Sequence, residues 1–202
     1  MRLILASASP RRLALLHQIG LDPEMIAADV DETPRTGESP EALVRRLARA
    51  KAEAIGPPGA DALVLAADTV IDLDGRALGK PSDREAAIAM LLALGGRTHR
   101  VLTGLCLVRP LDRIGRGRAG VPGAPLATRT LAVATTVRFG RVDREAAARY
   151  WDSGEPEGKA GGYAIQGGGA RFVAGIVGSY SNVVGLPLHE IARLLAAAGL
   201  PR

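Results

Sequence analysis

From its first residues the chain alternates short apolar runs with stretches that open on helix-start signals, and this alternation is what most constrains its fold. Arg2-Leu3-Ile4-Leu5-Ala6 reads as a buried strand and runs directly into Ser7-Ala8-Ser9-Pro10. Ser9 as N-cap and Pro10 at the first helical position start a helix whose Leu13, Leu16 and Ile19 share one face and which stops at Gly20. A strand is expected near Met25 to Ala28, then a polar loop, Asp29 to Glu38. Ser39-Pro40 opens a second helix through Leu43, Leu47 and Lys51 to about Ile55. After a Pro57-Pro58-Gly59 break, Ala62 to Ala67 is the most apolar run and is expected to end at Asp68-Thr69. Asp74-Gly75, between Val70–Leu73 and Arg76–Leu78, has hairpin-turn chemistry. Ser82 and Glu85 have capping-box spacing before a helix that ends at Gly95-Gly96. Strands are expected at about Val101–Val108 and Arg129–Phe139, a short helix from Asp143 to Trp151, and a last helix from about Pro187 to Ala198. Strand and helix in alternation predict an α/β class with a mixed sheet flanked by helices, without an internal repeat or a clean linker.

The composition, 47% apolar and 23% charged over 202 residues, excludes disordered and disulfide-scaffold classes. No apolar run approaches the roughly 20 residues that cross a bilayer, and the apolar start is too short for a secretory signal. A single cysteine, Cys106, permits no internal disulfide and suits a reducing cytoplasm. The net charge of +5 is concentrated between Arg109 and Arg149, where nine arginines face three acids. Much of that stretch, about 109–128, is punctuated by Gly and Pro and reads as an exposed loop, a solvated arginine surface or a contact for an anionic partner. Single-strand binders interleave stacking aromatics with basic residues, and Arg109 to Arg138 contains none, which argues against nucleic acid. Arginine outnumbers lysine 23 to three, so Lys51, Lys80 and Lys159 stand out as positions for a compact ammonium.

Three groups carry chemistry. Arg11 and Arg12 occupy the first turn of the first helix, where unpaired N–H groups already make a positive end and each added cation costs about 0.3–1 kcal/mol. A bound anion such as phosphate would account for them together with Ser7 and Ser9; side chains pointing to solvent would also do so. The second group is Asp31, Glu32, Lys51, Asp68, Thr69, Asp72 and Lys80. Asp68, expected at the carboxyl end of the most apolar strand, stands where open α/β sheets bind ligands. Carboxylates for a divalent ion beside ammonium groups are the kit of polyphosphate chemistry, although surface salt bridges draw on the same inventory. The third group is the glycine-rich stretch Lys159 to Gly169 with Gly178 to Pro187, which hold Gln166 and Asn182. The run Gly167-Gly168-Gly169 would let backbone approach a ligand, and Gln166 could read a base edge with a donor and an acceptor; a flexible loop is the plain alternative.

The segments LILASASPRR, VDETP, ARAKA, AADTV, GKP, KAGGYAIQGGGARFV and GSYSNVVGLPL, spread from Leu3 to Leu188, resemble in order and spacing the Maf family of nucleotide pyrophosphatases. The resemblance implies a single domain over 1–202, with a two-lobed mixed α/β fold and central cleft related to the inosine triphosphate pyrophosphatases. It also implies hydrolysis of a nucleoside triphosphate to the monophosphate and pyrophosphate with a divalent cation, Mg²⁺ or Mn²⁺. In that family's pattern Asp68 is the proton acceptor for the attacking water, and Ser7, Arg12, Glu32, Lys51 and Lys80 handle phosphate and metal, Glu32 and Asp68 being the metal ligands. Arg11, Thr69 and Gln166 fall on the specificity positions and resemble the subgroup acting on dTTP and UTP; the 7-methyl-GTP subgroup tends to have Trp, Gln and Glu there. A homodimer is a further implication. The rival readings are a purine-directed pyrophosphatase and a nucleic-acid-binding or division-regulating interaction protein. The insertion near 109–128 is longer than the family's usual loop.

Overall fold

A computed structural model describes residues 1–56, 61–110 and 126–200. Its elements are β1 (Arg2–Ala6), α1 (Pro10–Gln18), β2 (Glu24–Ile26), α2 (Pro40–Ala54), β3 (Ala62–Leu73), β4 (Arg76–Leu78), α3 (Arg84–Leu94), β5 (Thr98–Pro110), β6 (Leu126–Phe139), α4 (Arg144–Trp151), β7 (Val173–Val177), α5 (Tyr180–Val184) and α6 (Leu188–Ala197). The seven strands form one sheet in the order β2-β1-β3-β5-β6-β7, with β4 on β3. β1 is parallel to β2 and β3, and the other pairings are antiparallel, so the sheet is mixed as expected.

The central strand differs from its expectation. β3 does not stop at Asp68 but runs unbroken to Leu73, placing Asp68 in mid-strand, paired with Gly104 of β5. The apolar run ends at Ala67, but the strand continues because the Asp68 side chain has a buried partner, described below. What ends at this level is the neighbour: β1 pairs with β3 only as far as Ala6↔Ala66, and β4 takes over the same edge at Ile71↔Leu78. Residues 67–70 thus have no strand beside them on that edge, and the opening lies at the carboxyl end of β1.

The two faces of β3 alternate strictly, as the strand period requires. On one face Val64 and Ala66 pack under Ala48 and Ala52 of α2, and Val70 under Leu43 and Leu47. On the other, Leu63, Leu65 and Ala67 meet Leu16 of α1 and Ile191 of α6, while Ile71 and Leu73 meet Ile88 and Leu91 of α3. Between these last two clusters lies Thr69, the one incompletely buried residue of the strand.

Three smaller differences have local causes. The cap of α3 is Asp83, which accepts from Ala86 N at 2.8 Å, while the Ser82 hydroxyl donates to Asp83. β7 and α5 have no counterpart in the expectations, since VAGIV shows no clean alternation and five residues are too few for a helical period. β5 extends to Pro110 and β6 begins at Leu126, so both ends of the expected loop at 109–128 belong to the strand ladder; its middle, 111–125, and the Pro57-Pro58-Gly59 break lie outside the described residues. No helix among the described residues is long and apolar enough to cross a membrane.

Candidate active site

A cavity of about 790 Å³ occupies the gap beside β3 and is lined by Ser7, Arg11, Arg12, Glu32, Lys51, Asp68, Thr69, Lys80 and Gln166 together, the nine residues to which the family resemblance assigns a role. They come from the β1–α1 turn, α1, the loop before α2, α2, β3, the turn after β4 and the loop after α4. Surface ion pairs have no reason to converge in this way.

The β1–α1 turn gathers serine hydroxyls and a guanidinium. Ser9 is the N-cap of α1, but its side chain caps nothing, and Pro10 follows at the first helical position. Pro10 has no N–H and Arg12 N donates to Ser9 O at 3.1 Å, so the Arg11 amide is the first-turn donor without such a partner. Ser7 is buried; its Oγ accepts from Ser9 N at 3.1 Å and from Arg12 Nη1 at 3.3 Å. Arg12 also donates through Nε to Gly185 O at 2.9 Å and through Nη2 to Thr69 Oγ1 at 3.1 Å. This guanidinium is fixed from three elements and does not point to solvent. Burial lowers the pKa values of both Arg11 and Arg12, the signature of cations held partly dry and poised for a counter-charge.

The same cavity holds a lysine–carboxylate cluster. Lys51 is buried on α2, with Nζ 2.5 Å from Asp68 Oδ1 and 2.5 Å from Glu32 Oε1. Lys80 Nζ lies 3.2 Å from the other Glu32 oxygen. Burial pushes Glu32 up, but Lys51 and Lys80 outweigh it and hold the carboxyl below its ordinary range. Lys51 answers the cost of burying Asp68 inside a strand, since an unpaired charge there would be expensive.

The loop that carries Glu32 is braced from behind. Arg46 binds Glu38 through Nε at 2.7 Å and donates to Thr33 O at 3.0 Å. The Arg46 hydrogen bonds hold the Glu38 carboxyl at about 2. Asp31 is part of this brace and not of the site, because it accepts from Thr33 N at 2.9 Å and shapes the turn. Asp72, also grouped with the site by type, is instead bound to Arg100 and to Gly75 N at the β3–β4 hairpin. Asn182 is fully buried and donates to Val101 O and Thr135 Oγ1, each at 3.0 Å, so it joins α5 to the sheet and reads no ligand.

On the third side of the cavity are Lys159, Tyr163, Ala164, Ile165 and Gln166. Gln166 is exposed, and Lys159 has its pKa lowered by burial and then by Arg11. The glycine run 167–169 does not line the cavity, contrary to the expectation that it brings backbone to a ligand. Five cations against Glu32, Asp68 and Glu157 leave the lining net positive.

Among the described residues no group of three or more His, Cys, Asp or Glu side chains is placed to hold a metal by itself. Mg²⁺, however, is commonly held by one or two carboxylates together with substrate phosphates. Glu32 and Asp68 fit that donor set, their facing oxygens converging on one ammonium.

A family model described as Maf-like protein matches residues 2–198. Among curated relatives, a dTTP/UTP pyrophosphatase of Myxococcus xanthus (strain DK1622) is 50% identical, with 98% of this chain and 93% of the relative covered. One of Paramagnetospirillum magneticum is 50% identical over 98% and 97%, and one of Chelativorans sp. (strain BNC1) is 48% identical over 98% and 91%. Among solved structures, the Staphylococcus aureus Ham1 protein superposes with a TM-score of 0.42 at 20% identity, covering 69% of this chain and 72% of its own.

Proposed function

The chain belongs to the Maf family, and on that premise we propose that it is a nucleoside triphosphate pyrophosphatase that hydrolyses dTTP and UTP to the monophosphate and pyrophosphate. The observation that carries this reading is the convergence on one cavity of an arginine-flanked helix start without a side-chain cap and a lysine–carboxylate cluster.

The triphosphate contacts both groups. Arg12, with Ser7 and the Arg11 amide, takes phosphate oxygens on one side, and Lys80 neutralises charge on the other. Asp68 accepts the proton of the attacking water as the α–β phosphoanhydride breaks and pyrophosphate leaves. Lys51 holds the Asp68 carboxylate in place between turnovers. Glu32 and Asp68 would hold the divalent cation, which when bound supplies further neutralisation of phosphate charge and a more acidic water. Arg11, Thr69 and Gln166 face the nucleoside. Thr69 is itself fixed by Arg12 and by Thr103 Oγ1 at 2.9 Å. On the same reading the chain acts as one domain on the cytoplasmic nucleotide pool, and the family resemblance implies a homodimer.

The test is pyrophosphate release from a panel of nucleoside triphosphates with Mg²⁺ or Mn²⁺. Turnover of dTTP and UTP well above that of ATP and GTP is expected; turnover of none of them would overturn the proposal. Within that panel Gln166→Glu is expected to shift preference toward 7-methyl-GTP. A carboxamide offers one donor and one acceptor, which suits the N3–H and neighbouring carbonyl of thymine or uracil, whereas a carboxylate only accepts. A mismatched base contact of about 1–3 kcal/mol corresponds to a fall of roughly 5- to 150-fold in kcat/KM for dTTP. Unchanged selectivity in that variant would remove Gln166 from base recognition.

A further inference from the structure

The segment 164–169 is held from behind by residues that do not reach the cavity. Gly168 N donates to Glu155 Oε2 at 2.8 Å and Gly169 N to Glu155 Oε1 at 3.2 Å. The Tyr150 hydroxyl donates to Glu155 Oε1 and accepts from Ala164 N at 3.0 Å. The two glycine amides are the first donors of a 3₁₀ turn, Gly168–Phe172, which has no side-chain cap because Gly167 precedes it. Glu155 supplies that cap from the preceding loop, where N-terminal donors otherwise go unpaired.

The glycines are required by this arrangement. A Cβ on Gly167 would lie 2.3 Å from Glu155 Oε2, and one on Gly169 would lie 2.6 Å from both Ala164 O and Tyr150 Oη. A carboxylate and a phenol are packed into the back of the loop, and only glycine leaves room for them. Burial pushes the Glu155 carboxyl up, but the Tyr150 hydroxyl and the two amides more than reverse this, so it is ionised at neutral pH and its hydrogen bonds are charge-assisted.

We infer that Glu155 is a positioning residue for base recognition: together with Tyr150 it fixes the backbone on both sides of Gln166, at Ala164 and at Gly168, and so sets where the Gln166 carboxamide meets the base. This rests on the reading of Gln166 given above. Three consecutive glycines released from the clamp would regain the wide conformational freedom of that residue type, and only a fraction of molecules would then present Gln166 correctly. The phosphate machinery on the other walls would be untouched.

Glu155→Gln, which preserves shape but turns one acceptor into a donor facing donors, is expected to raise KM for dTTP and UTP about tenfold. Preference over GTP should narrow, and kcat should stay within about threefold. Tyr150→Phe, which keeps the ring on Phe172, should move the same quantities in the same direction by less. The clamp itself is read by the amide ¹H–¹⁵N resonances of Gly168 and Gly169 in the substrate-free protein, which should move in Glu155→Gln. Gln166→Ala is measured in parallel. If Gln166→Ala loses selectivity while Glu155→Gln and Tyr150→Phe keep it, the positioning role is overturned and the Gln166 reading stands. If Gln166→Ala keeps its selectivity, the Gln166 reading falls and the inference with it. A Glu155→Gln protein that loses kcat equally for every nucleotide, with selectivity intact, also overturns the inference.

Discussion

Asp68→Asn is expected to lower kcat for dTTP and UTP by roughly 10²- to 10⁴-fold, the usual contribution of a positioned general base. The fold should survive the change. The carboxamide is isosteric, and Lys51, which would lose one of its two carboxylate partners, keeps Glu32 at 2.5 Å. Binding should survive too, because the proposal assigns phosphate capture to Ser7, Arg12 and the start of α1, which do not depend on Asp68 for their hydrogen bonds. The expected signature is therefore a collapse in kcat with KM, or the affinity for a non-hydrolysable dTTP analogue, changed little. A loss of only a few-fold would remove Asp68 from proton transfer. Restoration of the rate by raised Mn²⁺ would instead assign its weight to holding the cation.

How much of this could be read from the chain depends on whether the controlling interaction is local. The β1–α1 junction is legible because Ser9, Pro10 and the arginines act within one turn. The caps at Ser39 and Asp143 are legible for the same reason, each accepting from an amide three residues on. Asp68 in mid-strand is not, because what lets a carboxylate stay inside β3 is an ammonium on α2, and strand periodicity carries no information about it. Residue type alone could not separate Glu32 and Asp68 from Asp31 and Asp72. Their roles part only when Asp31 turns back on Thr33 and Asp72 meets Arg100 across the sheet. The glycine run was visible as a feature, but its reason lies at Glu155 and Tyr150, in the preceding loop and α4. Family resemblance supplied the assignment of roles; tertiary geometry supplies the physical grounds for them.

Gly104→Ala is expected to damage activity more than stability, although the residue touches no substrate. Gly104 sits opposite Asp68 in the β3–β5 ladder, at the point where α2 crosses the sheet. A Cβ there would lie 2.1 Å from Val44 O and 2.9 Å from Arg45 N, and backbone cannot yield by changing rotamer. The helix has to lift. Overpacking of this kind costs about 1–3 kcal/mol, which at roughly 2–4 °C per kcal/mol in a chain of this size is a Tm loss of about 2–12 °C. The same helix carries Lys51 to Asp68 and Glu32, so its displacement opens the cluster that holds the proposed base. A misplacement on the order of 1 Å can cost about 10²-fold in rate, and that is the expected fall in kcat at temperatures well below the transition. A double-mutant cycle with Lys51→Met isolates the route. If Gly104 acts through Lys51, adding Gly104→Ala to Lys51→Met should cost little further activity while still lowering Tm. Additive losses in kcat would mean instead that the lifted helix harms the cavity elsewhere, through Leu43 and Leu47, which also line it.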